Sequence, residues 1–341
     1  MDMNFQPKEK YRAAVIGCGR IGMQMEKDPK RFKPATHVGA YLSNPRIELA
    51  ALVEIDPVKQ EEAKQFAPGV PVFSSAEEMF QKIKPDIVSV STFHDQHHPM
   101  VMLAVKHKVP AIVCEKPIAD TVEQGREMIE ACEKSGSLLF INHFRRFDPL
   151  LAVWQKKIQD GIIGEIQQVT GWYAIGLYHM GTHLVDFLMY YLGGVEWVSG
   201  WNNLRAHSAV PGDYCVDGIL GFKGGVHVAI QSVNVKDYSM FEVRVLGKKG
   251  EVFVRDLGRL VEMTPVRESK QYAGFFELDP ISRERYENKE ISSFIGLAEN
   301  VVACLDGKAK PASSGRDGLR VLEVLAALKK SAESDGKKIS V

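Results

Sequence analysis

The sequence predicts two domains of different class. Residues 1–141 are expected to form an α/β domain with a doubly wound parallel sheet, and residues 142–341 an α+β domain with an open, mostly antiparallel sheet covered by helices. The first prediction rests on short apolar runs that alternate with helical segments from Tyr11 to about Phe140. The second rests on β-prone runs that follow one another from about residue 195 to residue 265, separated by glycine-rich turns.

Composition argues against several functional classes. The 341 residues carry 43 basic and 43 acidic side chains, so the formal net charge is zero and shows no footprint of nucleic-acid or membrane-surface binding. The polar start lacks the apolar core of a signal peptide, and no apolar run approaches the roughly 18–20 residues of a membrane span. The five cysteines are scattered without a CxxC pair, which argues against a disulfide framework or a zinc site and favours a reducing, cytoplasmic location.

The first predicted strand leads directly into a glycine-rich turn. Residues 13–16 are apolar, and three glycines follow at the spacing of a dinucleotide fingerprint. Gly17 allows the turn, Gly19 lets the backbone approach a pyrophosphate, and Gly22 lets a helix pack close to the strand. We therefore expect this turn to bind a dinucleotide cofactor through Gly17, Gly19, Arg20, Ile21 and Gly22.

The second predicted strand ends in two acidic candidates for the adenosine ribose. Glu54 lies at the strand end, whereas Asp56 precedes Pro57 and is placed to cap the next helix. We assign the ribose hydroxyls to Glu54 and the cap to Asp56. Because a carboxylate there repels a 2′-phosphate, NAD is preferred over NADP. The charged, proline-broken stretch 26–34 is expected to be a solvated loop, with a substrate-facing lid as the alternative.

Two later strands of this half also end in polar residues. In a parallel sheet, ligands bind at the carboxyl ends of the strands. The loop after strand 85–92 contains His94, His97 and His98, whose spacing is not specific for zinc; a cofactor contact by one of them is the favoured interpretation.

Glu115-Lys116-Pro117 follows the strand 110–114. An amine at this position can orient a substrate hydroxyl beside the nicotinamide and stabilise the alkoxide that forms as hydride leaves. A surface lysine without a catalytic role is the alternative.

A predicted helix over residues 180–192 carries the chemistry-bearing residues of the second half. His179, His183 and Asp186 are spaced by four and three residues, which places them on neighbouring parts of one helix face. His183 can take a hydroxyl proton while Asp186 orients it. A metal-binding pair and a structural histidine at a helix start are the alternatives. Residues 271–288 form the least patterned segment and are expected to be mobile.

Five motifs in a fixed order together carry a resemblance to a known family. They are Gly17-Cys18-Gly19-Arg20-Ile21-Gly22, Glu115-Lys116-Pro117-Ile118-Ala119, Arg145-Arg146-Phe147-Asp148-Pro149, Gly161-Ile162-Ile163-Gly164-Glu165-Ile166 and Gly181-Thr182-His183-Leu184-Val185-Asp186. From about residue 11 to the C-terminal helix, the chain resembles the Gfo/Idh/MocA oxidoreductases. The resemblance implies a Rossmann domain, an open-sheet domain that forms a homodimer or homotetramer, and hydride transfer between NAD(P) and a sugar, polyol or nucleotide-sugar hydroxyl.

The resemblance also implies roles for particular residues. Lys116 and His183 fall on the catalytic lysine and the proton-carrying histidine, and both would contact substrate. The residues implied near the cofactor or the substrate cleft are Thr92, His97, Glu115 and Arg146. Many members carry aspartate four residues before the histidine, where this chain has His179. An imidazole cannot accept a hydrogen bond in every protonation state, so the proton relay or the substrate contact differs here.

The predicted function is NAD-dependent hydride transfer to or from a sugar hydroxyl. Thr36-His37 and the short loop 173–178 resemble a branch that acts on nucleotide-linked amino sugars, such as a UDP-N-acetylhexosamine 3-dehydrogenase. The alternatives are an inositol-type polyol dehydrogenase and a catalytically inactive dinucleotide-binding regulatory or partner protein. His179 favours the inactive interpretation, while the presence of Lys116 and His183 argues against it.

Overall fold

A computed structural model describes residues 6–341. The chain divides into two compact units that interleave along the sequence. The first unit runs to Asp148 and resumes over Glu290–Arg320, and the second contains Pro149–Lys289 and Val321–Val341. The expected single boundary after residue 141 differs from this division, because a returning helical segment builds part of the first core.

The first unit is a parallel sheet flanked by helices. Its strands are β1 (Tyr11–Ile16), β2 (Ile47–Val53), β3 (Val72–Phe73), β4 (Ile87–Val90), β5 (Ala111–Cys114) and β6 (Leu138–Ile141). Its helices are α1 (His37–Ser43), α2 (Pro57–Phe66), α3 (Ala76–Lys82), α4 (His97–Lys106), α5 (Val122–Ser135) and α8 (Ser293–Leu305). Among the described residues, the strand order is β3-β2-β1-β4-β5-β6 with every pair parallel, which confirms the doubly wound prediction.

The helix expected directly after Gly22 is interrupted. A short 3₁₀ turn, Gln24–Lys27, follows the glycines, and α1 begins only at His37. The amide N–H groups of His37 and Val38 donate to the carbonyls of Ile21 and Gly22 at 3.2 and 3.0 Å, so α1 resumes on the turn that precedes the insertion. These hydrogen bonds join residues that are 16 apart along the chain, so the insertion lies between the glycine turn and the helix that packs against it.

The inserted stretch is not a solvated loop throughout. Its middle is largely exposed, but the Glu26 carboxylate turns inward and accepts hydrogen bonds from the Ala35 amide and the Thr36 hydroxyl. Thr36 in turn caps α1 by accepting from the Gly39 amide at 3.1 Å. The insertion is thus anchored at the start of α1. The predicted cap of α2 is confirmed, because Asp56 accepts from the Val58 amide at 2.9 Å.

The second unit is a mixed sheet covered on one face by helices. Its strands are β7 (Ile166–Tyr173), β8 (Val195–Asn202), β9 (Val216–Phe222), β10 (His227–Ser232), β11 (Phe241–Gly247), β12 (Gly250–Arg255), β13 (Leu260–Glu268), β14 (Phe276–Leu278), β15 (Glu284–Glu287) and β16 (Ile339–Ser340). Its helices are α6 (Pro149–Gln159), α7 (Thr182–Leu192) and the greater part of α9 (Gly315–Ala332).

The strand order in residues 6–341 is β14-β13-β12-β11-β7-β10-β9-β8-β16, with β15 beside β13. Only β7 and β10 pair in parallel within this described sheet, which confirms a mostly antiparallel arrangement. Its core joins apolar side chains of α6, α7 and α9 to alternate positions of the strands. Gly171 on β7 leaves room for Leu184 of α7, since a Cβ there would lie 2.8 Å from the leucine methyl.

The segment 271–288, expected to be mobile, contains two short strands. β14 and β15 both pair with β13, on opposite parts of that strand. β15 is mostly exposed and rich in charge, so it shows no apolar alternation. β14 has only three residues, Phe-Glu-Leu, which is too short for its alternation to predict a strand. Within the described part of the chain, no helix combines the length and apolar character needed to cross a membrane.

Candidate active site

The glycine turn lies where β1 meets β4, the point at which the strand order reverses. Gly17 has φ +94°, and a Cβ on it would lie 2.8 Å from the Ser91 carbonyl oxygen. A Cβ on Gly22 would overlap the carbonyl oxygen of Gly17. Gly19 differs, because a Cβ there would meet nothing within 4 Å among the described residues. Two glycines are thus required by the fold itself, and the third leaves open space of the kind that a pyrophosphate needs.

Glu54 is held rigidly at the end of β2. Its Oε2 accepts from the Cys18 amide at 2.8 Å, while Oε1 accepts from the amides of Ile55 and Asp56 at 2.9 and 3.1 Å. A carboxylate offers about four lone-pair sites, so capacity for a further donor remains. This arrangement fits the predicted contact with ribose hydroxyls, which stays a prediction. Arg20 is exposed and Ile21 is partly buried in the adjoining turn.

Thr92 and His97 lie in the loop after β4. The hydroxyl oxygen of Thr92 is buried and has no hydrogen-bond partner among residues 6–341, an unsatisfied group that a ligand can complete. The His97 ring lies between two carbonyl oxygens, with Nδ1 2.8 Å from Pro117 and Nε2 3.3 Å from Thr92. Burial lowers the pKa of His97, so the neutral ring carries one proton, and the shorter contact places it on Nδ1. His97 thereby links the loops that follow β4 and β5.

Glu115 is a buried carboxylate at the end of β5. Its Oε1 accepts from Asn142 Nδ2 at 2.6 Å and lies 2.9 Å from His37 Nε2. Burial alone would raise the pKa of Glu115, but the hydrogen bonds from His37 and Asn142 and the positive charge of Lys116 lower it to about 2. Glu115 is therefore ionised in the folded protein at neutral pH.

A chain of hydroxyls continues from the far side of His37. Ser89 Oγ lies 3.0 Å from His37 Nδ1 and 2.6 Å from the Tyr41 hydroxyl. The tautomer with its proton on Nε2 donates to Glu115, accepts from Ser89, and lets Ser89 accept from Tyr41. All four side chains are buried, and every hydrogen bond in the chain then points toward Glu115.

Lys116 lies between two anchored residues. Glu115 before it is held by His37 and Asn142, and the carbonyl of Pro117 after it accepts from His97. The lysine is half-buried, and the Lys116–Pro117 peptide is cis. The backbone that carries the predicted catalytic amine is therefore fixed on both sides.

Arg146 has partners in the returning segment of the first unit. It forms an ion pair with Asp317 at 3.1 Å and donates to the Ala312 carbonyl at 3.1 Å. Burial alone would raise the pKa of Asp317, but Arg146 and Ser314 lower it below its ordinary value. These contacts give Arg146 a structural role within the first unit, and its predicted substrate contact stays a prediction.

The histidine motif of the second unit begins in an irregular turn. His179 is exposed within a π-helical turn, Leu177–Gly181, whereas His183 and Asp186 are buried in the first turns of α7. The expectation of one shared α-helical face holds for the spacing of His183 and Asp186, which lie in one regular helix. It does not describe His179, because a π turn has a different residue period from an α-helix.

Sequence reasoning missed several residues that support these positions. Ser91 Oγ donates to the carbonyls of Ile16 and Gly17, and Asn142 fixes Glu115 from the end of β6. Polar residues directly after a parallel strand were the available signal for Ser91 and Asn142. His37 lies in a helix, and nothing local indicates that it reaches Glu115. Within residues 6–341, no cluster of three or more His, Cys, Asp or Glu side chains could hold a metal ion.

These features define the class of protein. A glycine turn at the reversal point of a doubly wound sheet, a carboxylate after β2 and a lysine after β5, followed by an open-sheet domain, are the parts of a dinucleotide-dependent dehydrogenase. Family models match both parts: the oxidoreductase family NAD-binding Rossmann fold over residues 11–143, and the oxidoreductase family C-terminal alpha/beta domain over residues 176–341. The chain belongs to the Gfo/Idh/MocA oxidoreductase family.

Individual relatives agree with this assignment. The chain is 22% identical to D-apiose dehydrogenase of Paraburkholderia graminis, over 94% of this chain and 87% of the relative. It is 29% identical to inositol 2-dehydrogenase of Arthrobacter sp. (strain FB24), over 46% of this chain and 44% of the relative. The WlbA dehydrogenase from Bordetella pertussis, solved with NADH and UDP-GlcNAcA, shares the fold with TM-score 0.78 and 23% identity, over 98% and 99% of the two chains. The protein is an NAD-binding oxidoreductase of sugars or polyols.

Proposed function

We propose that the protein is an NAD-dependent dehydrogenase that acts on a hydroxyl of a nucleotide-linked amino sugar, of the UDP-N-acetylhexosamine 3-dehydrogenase type. The observation that carries the chemistry is the fixed position of Lys116, whose neighbours on both sides are anchored by His37, Asn142 and His97. The similarity to the WlbA dehydrogenase, whose structure contains a UDP-linked sugar, supports the substrate class.

The proposed reaction removes a hydride and a proton from one carbinol group. When bound, NAD supplies the hydride acceptor. The Lys116 ammonium orients the hydroxyl and stabilises the negative charge that develops on its oxygen as the C–H bond breaks. The His183 imidazole accepts the hydroxyl proton, and the carbonyl forms as the O–H bond breaks. In the reverse direction, His183 returns the proton to the oxygen.

Several residues of the first unit would hold the cofactor. The turn around Gly19 has room for the pyrophosphate, and Glu54 has capacity for a ribose hydroxyl. The unsatisfied Thr92 hydroxyl is the further polar atom that a bound dinucleotide can complete. A second candidate substrate is an inositol-type polyol, which the 29% identity to an inositol 2-dehydrogenase favours.

A substrate panel tests the proposal. Purified protein is assayed by absorbance at the NADH band with NAD and UDP-N-acetylhexosamines, their uronic acids, free hexoses and inositols. We expect kcat/KM for a UDP-linked sugar to exceed that for any free sugar by about 100-fold, because the nucleotide contributes binding energy that the free sugar lacks. Highest activity with an inositol would establish the polyol alternative. Tight NADH binding without turnover on the whole panel would contradict the enzymatic proposal.

We also propose that the open face of the second sheet joins copies of this chain in a homodimer or homotetramer. The Phe253 ring on this face lies 5.0 Å from the Arg255 guanidinium and 6.4 Å from the Trp172 ring, an aromatic centre flanked by charge. Sedimentation equilibrium is expected to give a multiple of the 38.0 kDa chain mass, and Phe253→Glu is expected to give the monomer. A monomeric wild-type protein would refute this assembly.

A further inference from the structure

The π-helical turn that carries His179 is held by a carboxylate from a distant loop. Asp213 lies between β8 and β9, some 35 residues further along the chain. Its Oδ1 accepts from the Tyr178 amide at 3.0 Å and from the Tyr214 amide at 2.7 Å, and its Oδ2 accepts from the His179 amide at 3.1 Å. Both oxygens of one side chain therefore bond to successive amides of this turn.

The turn has no cap of its own. The residue before it is Gly176, which has φ +144° and no side chain to accept from the first free amides. A Cβ on Gly176 would overlap the Asp213 carboxylate, so the glycine leaves the space that the carboxylate occupies. A negative charge is also favourable at this end of a helix, where the free N–H groups carry partial positive charge.

The loop that bears Asp213 is itself fastened to the same segment. The Leu177 amide donates to the Tyr214 carbonyl at 2.7 Å, and the Ala209 amide donates to the Ile175 carbonyl at 2.9 Å. Ile175 has φ +75°, a left-handed conformation that is costly for a β-branched residue and persists only where its surroundings enforce it. The loop and the turn thus form one hydrogen-bonded unit directly before α7.

We propose that Asp213 is a positioning residue that fixes the π-helical turn and thereby sets the placement of His179 and His183. The π turn runs straight into α7, whose second residue is His183, so movement of the turn displaces both imidazoles. The catalytic consequence rests on the function proposed above for His183. The structural consequence does not, because it concerns the amides of the turn itself.

Hydrogen exchange tests the structural step without turnover. Asp213→Asn keeps the size of the side chain but turns an N–H group toward one of the donating amides. We expect the amides of Tyr178 and His179 to exchange about 10-fold faster in this variant, as charge-assisted hydrogen bonds are lost. Asp217→Asn is the matched control: Asp217 is a partly buried carboxylate on β9 that accepts from Ser232 and Asn203 instead of from the amides of the turn. Unchanged exchange in Asp213→Asn would overturn the proposal.

Kinetics test the catalytic step. With the sugar identified by the panel, Asp213→Asn is expected to lower kcat by about 10- to 100-fold, since small misplacement of a reacting group is costly, while the Kd for NADH stays the same. Gly176→Ala also places a Cβ against this carboxylate, but it strains the backbone at φ +144° as well, so it is expected to lower kcat at least as far. Asp217→Asn should retain wild-type kcat.

The possible results separate the two proposals. Faster exchange with unchanged kcat would show that the turn does not position the imidazoles and would overturn the inference. If wild-type protein turns over no sugar, the proposed function fails, and the exchange result alone supports or overturns the role of Asp213 in holding the turn. If Asp213→Asn does not fold, Asp213→Glu, which keeps the negative charge but moves the carboxylate, carries the test by the same two measurements.

Discussion

Replacing Glu115 with glutamine removes a buried negative charge and keeps the size of the side chain. Its folded-state pKa of about 2 lies below the ordinary value of 4.5, and the difference corresponds to about 3 kcal/mol of stability at neutral pH. Because the folded pKa is depressed, this contribution is fully present above about pH 5 and is lost as the pH falls toward 2. By pH 3, about 2 kcal/mol of it has gone.

Urea unfolding of the wild-type protein and Glu115→Gln at pH 7 and pH 3 measures this effect. Glu115 lies in the first unit, whereas the four tryptophans, at positions 154, 172, 197 and 201, all lie in the second. Circular dichroism therefore follows both units, and tryptophan fluorescence serves as an internal reference for the second. We expect the difference in unfolding free energy between the two proteins to shrink by about 2 kcal/mol on going from pH 7 to pH 3.

The matched control is Glu48→Gln, an exposed carboxylate on β2 of the same unit. Its difference from wild type is expected to stay constant over the same pH interval, because an exposed group has little differential interaction to lose. If the difference for Glu115→Gln were equally constant, the carboxylate would not be held ionised by His37 and Asn142. The account of this buried hydrogen-bond network would then be refuted.

Three further predictions concern cofactor binding and turnover. Gly19→Ala should keep wild-type stability but weaken NADH binding by about 10-fold in a fluorescence titration. Gly22→Ala should instead lower the melting temperature, because its Cβ meets backbone atoms. Equal melting temperatures for the two variants would contradict the finding that open space lies beside Gly19 and not beside Gly22. Glu54→Gln should reduce the preference for NADH over NADPH by about 10-fold in competition binding, and an unaltered ratio would remove Glu54 from the ribose site. Lys116→Ala should lower kcat by about 100-fold with a nearly unchanged Kd for NADH; equal loss of both would contradict its catalytic role.

The sequence was sufficient for the parts of the fold that repeat a simple pattern. Alternating strands and helices gave the parallel sheet, since each buried strand reads as a short apolar run bounded by turn residues. The cap at Asp56 was also predictable, because a capping residue acts on amides only two or three positions away. The placement of Gly17, Glu54, Thr92 and Lys116 after parallel strands follows from the same local signals.

Features that depend on distant partners could not be predicted in this way. The hydrogen bonds of α1 across the insertion, the approach of His37 to Glu115, and the capping of the π turn by Asp213 all join residues far apart in sequence. Over only five residues, the sequence pattern of a π turn cannot be told from that of the first turn of an α-helix. The strand β15 is mostly exposed and charged, so it has no apolar pattern to detect, and β14 is only three residues long.

The interleaving of the two units has a practical consequence for fragments of this chain. Helix α8 contributes Phe294, Leu297 and Val301 to the core of the first unit, although in sequence it follows β15 of the second sheet. A product truncated after Asp148 would expose the apolar surface of the first unit that α8 covers, and this surface would promote aggregation. A recombinant nucleotide-binding fragment would therefore need residues 290–320 rejoined to it through a designed linker. A single proteolytic cut of the chain after Asp148 would release neither unit complete.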